Sequence, residues 1–126
     1  MKTRILVVDD EESILELLSS YLGRYDYEVL TARTAAEACQ LANQEAPRLV
    51  ILDVVLPDAN GMEALSAIKA THANLPVVIL TGIGSDEELT QEAQKRGAAG
   101  YVSKAVPLDQ LLMEVRRILN CKLPPP

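Results

Sequence analysis

Ile5-Leu6-Val7-Val8-Asp9-Asp10-Glu11 is an apolar run that ends on consecutive acids. Val and Ile favour extended structure, and an apolar run without alternation fits a strand covered on both faces. That strand delivers two carboxylates against an apolar interior, where charge without a partner is strongly unfavourable. The arrangement recurs along the chain. Leu49-Val50-Ile51-Leu52 ends on Asp53, Pro76-Val77-Val78-Ile79-Leu80 ends on Thr81, and Tyr101-Val102-Ser103 ends on Lys104. A hard divalent cation is the simplest remedy for the acids, because Mg2+ takes oxygen ligands from one or two carboxylates together with phosphate oxygens. Acid, acid, hydroxyl and amine at strand ends can together bind a metal and handle a phosphoryl group.

Helical patterns separate these runs, so strand and helix alternate five times. The first helix is expected from about Glu11 to Leu22, with Ile14, Leu15, Leu17, Leu18 and Leu22 on its apolar side, Asp10 as a candidate cap and Gly23 as a stop. A short second strand, Glu28 to Ala32, precedes Thr34-Ala35-Ala36-Glu37, which fits a capping box. The helix that follows must end before Pro47. Leu56-Pro57-Asp58-Ala59-Asn60-Gly61 reads as a loop, and Met62, Leu65 and Ile68 give the third helix its stripe. Ser85 or Asp86 can cap a fourth helix that stops at Gly97, and the fifth runs from Leu108 to Asn120. Continuous apolar strands joined by helices predict a parallel, doubly wound α/β sheet with right-handed crossovers. Ligands of such sheets bind beyond the carboxyl ends of the strands. Asp9, Asp10, Asp53, Thr81 and Lys104 all fall at that edge.

The 126 residues suit one domain, and a 48% apolar composition supplies a core built without Trp or Phe. A net charge of −6 argues against direct contact with nucleic acid. Cys39 and Cys121 form no metal motif and read as free thiols in a reducing cytosol. No N-terminal signal is visible, and no apolar run approaches the ~18 residues of a membrane span. Pro124-Pro125-Pro126 resembles the start of a linker.

Four stretches taken together, Ile5 to Glu11, Asp53-Val54-Val55-Leu56-Pro57-Asp58-Ala59-Asn60-Gly61, Leu80-Thr81-Gly82 and Gly97 to Lys104, resemble the receiver domain of two-component response regulators. The likeness runs from Arg4 to about Asn120. It implies a receiver domain over residues 1–121, a tail at 122–126, and a flavodoxin-like (βα)5 three-layer sandwich with sheet order 2-1-3-4-5. It also implies a role for each residue. Asp53 would accept a phosphoryl group from a sensor histidine kinase or phosphotransfer protein. Asp9, Asp10, Asp53 and the carbonyl of Val55 would hold Mg2+. Thr81 and Lys104 would meet the phosphoryl oxygens, and Thr81 and Tyr101 would switch an output surface on the fourth helix, fifth strand and fifth helix. A dimer through those elements and an effector domain after Pro126 are compatible with the family pattern, as is a cytoplasmic location.

Taken singly, Asp10 is a helix cap, Asp53 a loop acid, Thr81 a strand-end hydroxyl, Lys104 a solvated lysine and Tyr101 a half-buried strand residue. Five such positions in register favour the functional reading. One departure is Ala105, where the family usually has Pro after the lysine, often in a cis bond. A non-proline cis bond costs about 3 kcal/mol, which leaves the geometry of the Lys104–Ala105 peptide open. Val55 and Ile83 are apolar at positions that tune access of water to the acyl phosphate, so a long-lived phosphoryl group is expected. Two rivals are weaker. A phosphohydrolase of the haloacid-dehalogenase type would place a second Asp where Val55 stands. A flavin module would carry Ser, Thr and Gly where Asp9-Asp10-Glu11 would repel the flavin phosphate.

Overall fold

The apolar runs form the centre of a single sheet in the computed structural model, which describes residues 2–82 and 87–120. The strands are β1 (Thr3–Val8), β2 (Tyr27–Ala32), β3 (Leu49–Asp53), β4 (Val77–Thr81) and β5 (Gly100–Ser103). The helices are α1 (Glu12–Gly23), α2 (Ala35–Glu45), α3 (Gly61–Thr71), α4 (Glu87–Lys95) and α5 (Leu108–Asn120). Every pairing is parallel and the order is β2-β1-β3-β4-β5, the flavodoxin-like order that the family resemblance implied.

Side chains alternate across the sheet and build two cores. Leu6, Val8, Val50, Leu52, Val77 and Ile79 pack with Ala38, Leu65, Ile68 and Ala93, from α2, α3 and α4. Ile5, Val7, Leu49, Ile51, Val78 and Leu80 pack with Leu15, Leu18, Leu22, Leu111, Leu112 and Val115, from α1 and α5. Burial on both faces explains why β3 and β4 are apolar without alternation, each buried along its whole length. Ala35, Ala38 and Ala42 form the buried stripe of α2, small enough to let that helix lie close to the sheet in a chain without Phe or Trp. No helix among the described residues is long and apolar enough to cross a membrane.

Most punctuation follows the sequence reading. Gly97 takes φ +98° after α4, and the N–H groups of Gly97 and Ala98 bond the carbonyls of Gln94 and Ala93, a Schellman closure. Ala46 caps α2 at φ 48° immediately before Pro47. α1 ends at Gly23 as expected, but without a left-handed cap there: the positive φ falls on Asp26, at 70°. Arg24 and Tyr25 continue the turn by bonding the carbonyls of Tyr21 and Leu22, which delays the reversal until the chain meets β2. Thr34 caps α2 as expected, accepting from Glu37 N–H at 3.1 Å, but the Glu37 carboxylate reaches back to Arg33 N–H rather than to Thr34. Cys39 is a half-buried free thiol, pushed up by burial and by the charge of Asp58. Ile83, the expected caps Ser85 and Asp86, Cys121 and the tail at 122–126 lie outside the described residues.

Gly61 is required by a close approach. It opens α3 directly against the end of β3, where its N–H bonds Val54 O at 2.6 Å. A Cβ there would meet Asp53 O at 2.2 Å and the Val54 Cα at 2.6 Å, both backbone atoms that cannot swing aside. Helix propensity alone would reward Ala at this position by about 1 kcal/mol. The clash outweighs it, and Gly61→Ala is expected to destabilise the protein by about 2 kcal/mol, as overpacking does. Urea unfolding at constant m-value tests this, and a neutral or stabilising effect would mean that the β3–α3 loop yields freely.

Candidate functional site

The carboxyl ends of the strands set the site. Asp9 follows β1, Asp53 and Thr81 are the last residues of β3 and β4, and Lys104 follows β5. Asp9, Asp53 and Thr81 are 1%, 5% and 1% exposed, whereas Asp10 stands on the exposed rim. Oxygens of Asp9, Asp10 and Asp53 all lie within 4.8 Å of one another. The helix cap expected of Asp10 falls instead on Glu11, which makes no side-chain cap bond. Asp9 does that work by accepting Glu11 N–H on Oδ1 at 2.9 Å, while its own N–H is tied to Ala32 O at 3.0 Å.

The ammonium of Lys104 sits 2.9 Å from Asp9 Oδ2, 3.1 Å from Glu11 Oε1 and 3.3 Å from Asp53 Oδ2. Burial alone would push this ammonium down, but its contacts with Asp9 and Glu11 and the charge of Asp53 outweigh burial and hold it well above its usual value. Asp53 moves the other way from a typical paired acid. Burial and the neighbouring charge of Asp9 push its carboxyl up, against the pull of Lys104 and of Val55 N–H at 3.4 Å. One cation therefore does not neutralise the cluster. Asp9 Oδ2 is buried and is met by the Lys104 ammonium at 2.9 Å, which it shares with Glu11 and Asp53. An under-partnered carboxylate oxygen beside two more carboxylates fits an oxygen-seeking divalent cation.

No cis peptide occurs among the described residues, so the Lys104–Ala105 bond is trans. The turn is built without Pro: Lys104 N–H bonds Thr81 O at 2.7 Å and Ala105 N–H bonds Ser103 Oγ at 3.1 Å. The first bond ties Lys104 to the backbone of the buried Thr81. Tyr101 pairs in register with Ile79 and packs, half-buried, on the core beneath α4; alternation along β4 carries Thr81 to the same face. Val55 is 60% exposed. Sequence reasoning missed two participants. In the sequence Glu11 is one more acid at the helix start, and Asp58 a loop residue. Asp58 in fact accepts the N–H groups of Ala35 and Ala36, at 2.8 and 3.1 Å, which hold its carboxyl below the usual range.

The doubly wound sheet thus gathers acids, a hydroxyl and an ammonium at its carboxyl edge, where ligands of such folds bind. Residues 5–116 match the model of the response regulator receiver domain, and the chain belongs to that family of two-component signalling domains. It is 38% identical over 121 residues to the alkaline phosphatase synthesis transcriptional regulatory protein PhoP of Bacillus subtilis, covering 95% of this chain and 50% of that protein. It is 30% identical over 122 residues to sporulation initiation phosphotransferase F of the same organism, covering 97% of this chain and 98% of that one. The non-phosphorylated receiver domain of HemR from Leptospira biflexa superposes with a TM-score of 0.89 at 33% identity, over 99% of this chain and 100% of that one. The chain thus spans about half the length of PhoP and nearly all of phosphotransferase F.

The raised carboxyl of Asp53 has a consequence for stability. A group whose folded pKa exceeds its unfolded value stabilises the fold when protonated, and that contribution is lost as pH rises through the folded pKa. At neutral pH, without metal, Asp53 is therefore a liability that a neutral isostere removes. Asp53→Asn is expected to melt a few degrees higher in EDTA at pH 7, corresponding to about 1 kcal/mol. The gain should vanish at about pH 3, below the ordinary carboxyl pKa. A lower melting temperature at pH 7 would mean that the Lys104 pair outweighs burial and the Asp9 repulsion.

Proposed function

We propose that Asp53 is the phosphoacceptor, served by a sensor histidine kinase, a phosphotransfer protein or a small phosphodonor such as acetyl phosphate. The observation that supports this reading is the ammonium of Lys104 held between Asp9 and Asp53 while three carboxylates converge on one point. An Asp53 oxygen attacks phosphorus as the bond to the donor breaks, and a donor imidazole departs with the bonding electron pair and takes up a proton. Asp9, Asp10, Asp53 and the Val55 carbonyl would hold Mg2+, which supplies positive charge to the equatorial phosphoryl oxygens. Lys104 exchanges its carboxylate neighbours for a phosphoryl oxygen, and the Thr81 hydroxyl donates to another. Movement of Thr81 opens space for Tyr101 on the same face, which alters the surface of α4, β5 and α5. That surface is the output face on this reading, and the face through which a dimer would form. An effector domain after Pro126, a cytoplasmic location and the lack of direct nucleic-acid contact belong to the same proposal.

Incubation with acetyl phosphate and Mg2+ is expected to add one phosphoryl group by intact mass. The adduct should disappear in Asp53→Ala and in EDTA. An undiminished adduct in Asp53→Ala would overturn the assignment.

The domain acts as a lasting signal and not as a turnover enzyme. Position 55, two residues past Asp53, carries an exposed valine that can neither donate a proton nor orient a water. Asp9 and Asp10 are engaged as ligands on this reading, and the Glu11 carboxylate is paired with Lys104, so none of these three acids is a free general base. Val55→Asn supplies a group that can orient water and should speed loss of phosphate by roughly threefold, since water orientation without proton transfer is worth less than full general-base help. Equal decay of the two proteins after donor removal would refute the role given to position 55.

A further inference from the structure

The turn between β2 and α2, residues 33–34, and the first residues of α2, Ala35 and Ala36, are gripped by both loops that carry candidate metal ligands. From the β1–α1 side, Arg33 Nη2 donates to the main-chain carbonyl of Asp10 at 3.2 Å. From the β3–α3 side, Asp58 Oδ1 accepts Ala35 N–H at 2.8 Å and Oδ2 accepts Ala36 N–H at 3.1 Å. These are among the first N–H groups of α2, which no carbonyl inside the helix can satisfy, and a carboxylate there also meets the positive end of the helix dipole. The turn itself is closed by the Thr34 and Glu37 bonds. The loop that carries Asp58 has little slack, because Gly61 N–H is fixed to Val54 O and Asn60 Oδ1 caps α3 through Met62 N–H. A displacement of Asp58 is therefore transmitted to Val55.

We propose that Arg33 and Asp58 are positioning residues for the metal site, and that the β2–α2 turn is a strut fixing the β1–α1 and β3–α3 loops at the separation a shared cation requires. This rests on the reading of Asp10 and the Val55 carbonyl as ligands. Carboxylates gathered without metal repel, so loops released from the strut spread apart. Mg2+ demands near-ideal octahedral geometry, so a small spread is felt in affinity. The Arg33–Asp10 and Asp58–Ala36 bonds are exposed, whereas the Asp58–Ala35 bond is half-buried at the start of the core-facing stripe of α2.

Mg2+ affinity measured calorimetrically on the folded protein tests the strut. Asp58→Ala is expected to weaken binding about tenfold, the scale typical of groups that orient metal ligands. Asp58→Asn removes the same charge but keeps one acceptor oxygen, so it should recover part of the loss. Arg33→Ala separates geometry from charge: deleting a cation near the site tightens Mg2+ by charge alone, and the strut requires that it weaken. His72→Ala breaks the bond to Asn43, at 2.7 Å and at the opposite edge of the sheet, and should bind as the wild type does. Binding and tethering are reciprocal, so Mg2+ should slow amide exchange at Ala35 and Ala36 in the wild type. Wild-type affinity in Asp58→Ala, with Ala35 and Ala36 exchanging faster, overturns the strut alone. A wild type that binds no Mg2+ overturns the metal reading and the strut with it.

Discussion

One ammonium shared among three carboxylates holds the working edge of this fold together. Lys104, from the end of β5, reaches Asp9 beyond β1, Asp53 at the end of β3 and Glu11 at the start of α1. The contacts span the sheet across the topological switch, where the order runs outward from β1 and β3 in opposite directions. Removing the lysine would leave Asp9 and Asp53 buried beside each other with no counter-charge, the costliest way to break such a group. The acids cannot move away, because Asp53 is fixed by the β3 ladder and Asp9 by Ala32 O. The lysine is thus the minimum compensation for a charge cluster that the strands impose.

The fold tolerates this edge because the rest of the molecule has little polar burden. Asp9, Asp53 and Thr81 are the buried polar side chains among the described residues, and all three sit at strand ends. Beneath them, two aliphatic cores cover both faces of the sheet. Packing of this kind favours the folded state strongly while the site opposes it, and net stability is the small remainder. A strained polar site on a well-packed scaffold is where function is expected to reside.

What the sequence revealed and what it hid divide along a physical line. Asp9, Asp53 and Thr81 were legible because each ends a buried apolar run, and Lys104 because it follows a short half-buried one; the parallel topology then gathers all run ends at one edge. The strand order came from the family resemblance, and the pairing bears it out. Glu11, Asp58 and Gly61 were not legible as participants. Glu11 bonds a lysine 93 residues away, and Asp58 bonds an amide 23 residues away. Such contacts depend on how loops approach in space, and no local periodicity encodes them. Gly23 stops α1 without the left-handed turn that glycine permits but does not require, and the reversal falls on Asp26 at the approach to β2.

The trans Lys104–Ala105 bond bears on how the resting site is set. The lysine's direction is fixed here by the bond from its N–H to Thr81 O and by its three acidic neighbours, so backbone and side chain are anchored to different parts of the site. The backbone anchor joins Lys104 to the residue that, on the proposed reading, donates to the phosphoryl group. The side-chain anchors are carboxylates whose charge balance a cation or a phosphoryl group would alter. A change of charge at Asp53 therefore acts on Lys104 twice, directly through the ammonium and indirectly through Thr81. On the proposed reading, two-point anchoring of this kind would carry a local electrostatic event to the β4–β5 edge, on which Tyr101 and the neighbouring α4 core rest. The metal-free balance, with one ammonium too few for its carboxylates, keeps that response within reach of a modest change in free energy.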